Sequence, residues 1–259
     1  MSTLRADLVE DGRVLRVVLD VPKGNVLTMQ MMGELREALA AHRDRRELKL
    51  VLLRGAGGHF SLGASIPEHR KDKAAAMLSA FNDLIRDVAT YPAPVAALVE
   101  GRCLGGAFEL VLACHLVFAA PTAVFGCPEI KLGVLPPVLA VLGPMRLGAA
   151  LSERLLLTGA DLDARAAERA GWLAALTPEG EDPERWVLGW YERTLGPLSA
   201  FSLREAVGAA RAGSGLVAAL GEPLDAAERR YVARLLPSHD GNEGIEAFLE
   251  KRAPRWVDA

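Results

Sequence analysis

Short apolar or β-branched runs alternate with helical periods along the first 160 residues of the chain, and that alternation narrows it to a layered α/β fold. Val14–Leu19 reads as a strand, closed by the turn at Pro22-Lys-Gly24. Thr28 then precedes a helical pattern, with Met32, Leu35, Leu39 and His42 at spacings of three and four. Leu48–Leu53 reads as a second strand, ended by Gly55-Ala-Gly-Gly58. Ala74–Ala89 places Met77, Leu78, Phe81, Leu84, Ile85 and Val88 on one side of a helix that Tyr91-Pro-Ala-Pro94 stops. Val95–Val99 is a third strand, Leu116–Ala119 a fourth and Ala123–Phe125 a fifth. Beyond Leu151 strand signals nearly vanish, and helical patterns are expected at 151–158, 164–170, 183–195, 199–212, 222–236 and 242–252. The division this implies is a core over residues 1–195 and a helical region over 196–259, with Gly213-Ser-Gly215 the nearest thing to a hinge.

Composition removes several function classes. A net charge of -3 with scattered Lys and Arg argues against nucleic-acid binding. The basic clusters Arg43-Asp-Arg-Arg46 and His69-Arg-Lys-Asp-Lys73 lack interleaved aromatics and read as solvated helix faces. Met1–Glu10 carries Asp7 and Glu10 and does not read as a signal peptide, and no apolar run reaches the roughly 18 residues a membrane span needs. Cys103, Cys114 and Cys127 form no C-x-x-C pair, and the five His have no ligand spacing, so no metal site is expected. A cytoplasmic protein with buried thiols is the resulting expectation.

Glu109 stands inside the apolar stretch Ala107-Phe-Glu-Leu-Val-Leu-Ala113, just after Gly105-Gly106. A carboxylate buried there has its charged form penalised and its pKa raised. The glycines let backbone N–H groups approach a ligand at a helix start, where negative charge is favoured. The alternative is a helix packed through its glycines with Glu109 pointing at solvent. Two further segments follow strands in the same way. Phe60-Ser-Leu-Gly-Ala-Ser-Ile66 comes after the second strand, and Phe125-Gly-Cys-Pro-Glu-Ile-Lys-Leu-Gly133 after the fourth or fifth. Strand ends are where ligands bind in α/β folds.

Together with Glu243-Gly-Ile-Glu-Ala-Phe-Leu-Glu-Lys-Arg252 near the end, these three motifs in order resemble the crotonase (enoyl-CoA hydratase/isomerase) superfamily. The resemblance implies an α/β fold, a spiral of ββα units with a helical C-terminal region that mediates trimer formation, as a homotrimer or homohexamer. It implies an acyl-CoA thioester substrate and no cofactor beyond the coenzyme A that the substrate carries. By position, the backbone N–H groups of Ala64 and Gly106 look like the two donors of an oxyanion hole. Glu109 and Glu129 match the two glutamates of the family's hydratases, and Gly63, Ser65, Ile66, Gly105, Leu135 and Pro136 fall where substrate is bound. The Arg and Lys of residues 69–73 are candidate phosphate partners.

Departures sharpen the resemblance. Ala107 stands for a glycine, Ser65 for an Asp and His115 for an Asp, and Leu135-Pro-Pro-Val-Leu-Ala-Val-Leu142 replaces a glycine-rich stretch. That last exchange reads as a stiffer apolar wall, better suited to a rigid cyclic acyl group than to a flexible chain. With Gly63-Ala-Ser65 and the nearby Glu68-His69, the chain most resembles the cyclohexa-1,5-diene-1-carbonyl-CoA hydratases of aromatic-acid degradation through benzoyl-CoA. A hydratase or isomerase acting on linear 2-enoyl-CoA esters, and a non-catalytic CoA- or RNA-binding relative, are the alternatives.

Overall fold

The computed structural model describes residues 2–259. Six strands, β1 (Leu4–Val9), β2 (Val14–Leu19), β3 (Leu50–Gly55), β4 (Val95–Val99), β6 (Leu116–Ala119) and β9 (Ala175–Leu176), lie side by side in that order. β1 runs antiparallel to β2, and every later pairing is parallel. A smaller sheet joins β5 (Arg102–Leu104), β7 (Val124–Gly126) and β8 (Asp161–Asp163). The chain visits the two sheets in turn: β4 passes into β5 and then α3 (Gly106–Ala113), and β6 passes into β7. After β3, Ser61 bridges to Cys103 beside β5 before the chain enters α2 (Ala74–Ala89). This is the spiral of ββα units the resemblance implied.

The inner strands are apolar on both sides because both faces of the large sheet are covered. Leu15, Val17, Leu19, Val51, Leu53, Val95, Ala97 and Val99 face the main core, which α1 (Met29–His42), α2 and α3 complete. The alternate residues Val14, Leu50, Leu52, Ala96, Leu98 and Phe118 face Val187 and Tyr191 of α7 (Pro183–Thr194). Trp186 and Trp190 of that helix sit edge-on to Phe118. Period-two packing on two faces explains why these strands read as continuous apolar runs.

Most of the sequence pattern appears in place: α1 with Thr28 as its N-cap, α2, β2, β4 and β6 coincide with it. β3 begins at Leu50 rather than Leu48, and strands do persist after Leu151, as β8 and β9. The expected wall at 135–142 is in part a helix, α4 (Pro137–Leu147), followed by α5 (Ala149–Thr158). Beyond α6 (Ala164–Arg169) and α7 come α8 (Ala200–Gly213), α9 (Leu216–Ala219), α10 (Glu222–Arg230), a π-helical turn at Tyr231–Leu235, and α11 (His239–Leu249). The basic clusters are less solvated than expected: His69 is buried, and the Arg43 guanidinium lies over the Tyr91 ring at 5.7 Å. Among the described residues no helix is long and apolar enough to cross a membrane.

Candidate active site

Loops at three strand ends meet beside the small sheet. After β3 the chain is pinned by Asn25, whose buried amide donates to the carbonyls of Ala56, His59 and Phe60 and accepts from Val21 N–H. Leu27 then pairs with Ala64: its N–H donates to the Gly63 carbonyl, and its carbonyl accepts from Ser65 N–H, both at 2.9 Å. A strand residue between two such bonds turns its own N–H the other way. Gly63 has φ +100° and approaches Leu104 so closely that a Cβ would lie 2.7 Å from that carbonyl.

After β5, Gly105 caps α3 with φ +52° and donates its N–H to the Gly126 carbonyl at 2.7 Å. Gly106 is the first residue of α3, and a Cβ placed on it would lie 3.4 Å from the Ala64 Cβ, so the two stand side by side. Among the described residues, neither Ala64 N–H nor Gly106 N–H donates to a protein acceptor. One belongs to a turned-out strand residue, the other to a helix start with uncommitted donors.

Glu109 lies one turn further along α3 and is only 3% exposed. Its Oε1 accepts from the N–H groups of Val138 and Leu139, at 2.7 and 2.9 Å, in the first turn of α4. The alternative in which Glu109 points at solvent is therefore wrong. Burial pushes its carboxyl up, and the amides of Leu139 and Val138 hold part of that rise back. Glu129 sits in a 3-10 turn, Pro128–Leu132, after β7. The residue as a whole is half-buried, but its Oε2 is sealed from solvent and has no hydrogen-bond partner among the described residues. Its Oε1 rests against Gly105, where a Cβ would come within 2.6 Å. Burial and then the charge of Glu109 push the Glu129 carboxyl up.

The structure thus brings together Gly63, Ala64, Gly105, Gly106, Glu109 and Glu129. Ser65 is buried with its N–H committed to Leu27, so it shapes the loop rather than offering a free amide; its carbonyl takes His69 Nδ1 at 2.9 Å. Ile66 opens the 3-10 turn that follows. Leu135 is half-buried and Pro136 buried, directly ahead of the α4 turn that holds Glu109. Arg70 is paired with Glu246 at 3.3 Å, while Lys71 and Lys73 are exposed and make no ion pair among the described residues. Hollows of about 540 and 490 Å3 around Arg185 and Arg16 reach neither glutamate. One of about 390 Å3, lined by Val21, Lys23, His59 and Leu62, adjoins the Ala64 loop. Sequence reasoning missed the part played by α4, for which Pro137 at the first helical position was the available signal.

The chain is similar to known proteins along nearly its whole length. The sequence pattern of the Enoyl-CoA hydratase/isomerase family matches residues 10–259. A cyclohexa-1,5-dienecarbonyl-CoA hydratase of Thauera aromatica is 42% identical over 98% of this chain and 97% of its own. A probable enoyl-CoA hydratase of Mycobacterium bovis is 34% identical over 98% and 99%. Among solved structures, an enoyl-CoA hydratase from Mycobacterium avium subsp. paratuberculosis superposes with TM-score 0.84 at 28% identity, each chain covered completely. The chain belongs to the enoyl-CoA hydratase/isomerase, or crotonase, superfamily of enzymes.

Proposed function

We propose that this enzyme adds water across a conjugated, cyclic dienoyl-CoA thioester of the cyclohexa-1,5-diene-1-carbonyl type, in aromatic-acid degradation. The observation that carries the reading is a pair of buried carboxylates, Glu109 and Glu129, flanking Gly105-Gly106 beside two uncommitted amides. Ala64 and Gly106 N–H groups grip the thioester oxygen and stabilise the enolate as water adds. Fixed main-chain donors need no reorientation as charge develops, and one such donor is worth about 2.7–4 kcal/mol of barrier.

The surroundings of the two acids divide their roles. Glu109, held by two amides at the positive end of α4, is the better-stabilised anion and takes the proton from water. Glu129, with one oxygen unpartnered and a like charge nearby, keeps its proton and delivers it to carbon. The hollow at Lys23, His59 and Leu62 offers the coenzyme A moiety a path away from Ala64, with the free cations of Lys71 and Lys73 as partners for its phosphates. The T. aromatica relative's name and the apolar stretch at Leu135-Pro136 support the cyclic acyl group.

Mass-spectrometric scoring of water addition against a panel of cyclic and linear enoyl-CoA thioesters tests this. The cyclic dienoyl ester is expected to turn over fastest. Faster hydration of crotonyl-CoA would replace the cyclic substrate with a linear one, and isomerised products without added water would replace hydration altogether.

A further inference from the structure

One buried hydroxyl, on a turn that packs against α10, has no hydrogen-bond partner among the described residues. Tyr231 opens the π-helical turn that follows α10, and α10 packs on α4, the helix whose first turn holds Glu109. The side chain is 1% exposed and is among the largest that the molecule encloses completely. Its hydroxyl is sealed from solvent and has no hydrogen-bond partner among the described residues, and the same holds for Glu129 Oε2. Both glutamates are near enough to act on the phenol electrostatically. A phenylalanine would fill this volume without leaving a desolvated polar atom unpaired. The hydroxyl gains a function only when a polar atom comes within hydrogen-bond reach of it.

We propose that Tyr231 is a third catalytic side chain, which together with Glu129 Oε2 holds the oxygen that is added to the substrate. The proposal rests on the hydration reading above. Valence supports it. The attacking water donates one hydrogen to Glu109 and the other to Glu129 Oε2, accepts the Tyr231 hydroxyl on one lone pair, and has one lone pair left for carbon. As the carbon–oxygen bond forms, the proton shared with Glu109 passes to that carboxylate, and the π electrons move to the thioester oxygen. Glu129 then gives its own proton to carbon, and the next water returns a proton from Glu109 to Glu129. The phenol keeps its proton throughout, since burial and both carboxylates push its ionisation upward. The product hydroxyl is left against Tyr231.

The test is Tyr231→Phe, with kinetics on the ester the wild type hydrates best and calorimetric binding of the hydrated product and of its deoxy counterpart. We expect kcat to fall about tenfold to a hundredfold, the worth of one hydrogen bond in a dry site, with KM little changed. The wild type should bind the hydroxylated ester several-fold more tightly than the deoxy ester, and Y231F should bind the two alike. That binding ratio is read on folded protein, so it decides the matter even if Y231F melts lower. An active wild type with an equally active Y231F, or an unchanged binding ratio, overturns the role of Tyr231 alone. A wild type inert toward every enoyl-CoA overturns the hydration reading as well.

Discussion

At the scale of single residues, the site depends on two carboxyls held where water is scarce, and each carries a testable cost. A carboxyl whose pKa is higher folded than unfolded binds its proton more tightly in the fold, so stability is lost as pH rises between the two values and stays lost above them. Glu129 is such a group, pushed up by burial and by Glu109. Glu129→Gln should therefore melt above the wild type at about pH 8, and the gain should vanish near pH 4, where the wild-type carboxyls are protonated in both states. Differential scanning calorimetry across that range checks it; an equal gain at both ends would contradict the shift. Gly105 has a different constraint. Its φ of +52° and the 2.6 Å from a would-be Cβ to Glu129 Oε1 leave no room for a side chain. Gly105→Ala should displace the Glu129 carboxyl and lower turnover by about a hundredfold or more, the scale of a misplaced proton donor. Steady-state kinetics on the folded variant measures this. Glu109 and Glu129 were legible in the sequence, the first as a charge in an apolar run, the second through its family motif. Tyr231 was not, because one aromatic in a helical segment ordinarily signals packing.

At the scale of elements, α3 and α4 make the acid pair possible. α3 is buried along its whole length, so Glu109 cannot reach solvent, and the first turn of α4 answers it with two amides. α11 backs the Glu129 turn from the other side, packing so closely that a Cβ on Gly244 would lie 2.2 Å from the Leu132 carbonyl. Gly244→Ala should push α11 off that turn. Its melting temperature and its turnover should fall together, in a thermal melt and an assay of the same preparation. A variant that melts lower with full turnover would show that α11 does not brace Glu129. Long periodic elements were readable: α2 shows an apolar side at every turn, and β4 is apolar throughout. β1 was not, because only Leu4 of its six residues is buried and its outward Arg5 and Asp7 break the pattern. β8 and β9, at three and two residues, are too short to show a period. α4 was hidden by Pro136-Pro137, read as a stiff wall although proline is well placed in a first helical turn.

At the scale of the whole molecule, the large sheet fixes where the three loops end. α7 is tied to that sheet by Glu184, which pairs with Arg16 at 2.9 Å and with Arg54, and Arg54 in turn pairs with Glu100 at 2.9 Å. Glu100 directly follows β4 and leads into Gly101 and the β5 motif, so this network also anchors one arm of the site. Alternating strands and helices announced an α/β protein, but period alone does not reveal that successive strands enter two different sheets. That arrangement, and the meeting of Glu109 with Glu129, came from family resemblance and from the fold. The central claim is that these two acids add water to a thioester held by Ala64 and Gly106. Its most direct test is incorporation of heavy oxygen from labelled water into the cyclic dienoyl-CoA by the wild type, Glu109→Gln and Glu129→Gln. Each variant should lose about 10²–10⁴-fold in rate, the range for a positioned acid or base, while still binding the ester. Incorporation by either variant at close to the wild-type rate would contradict it.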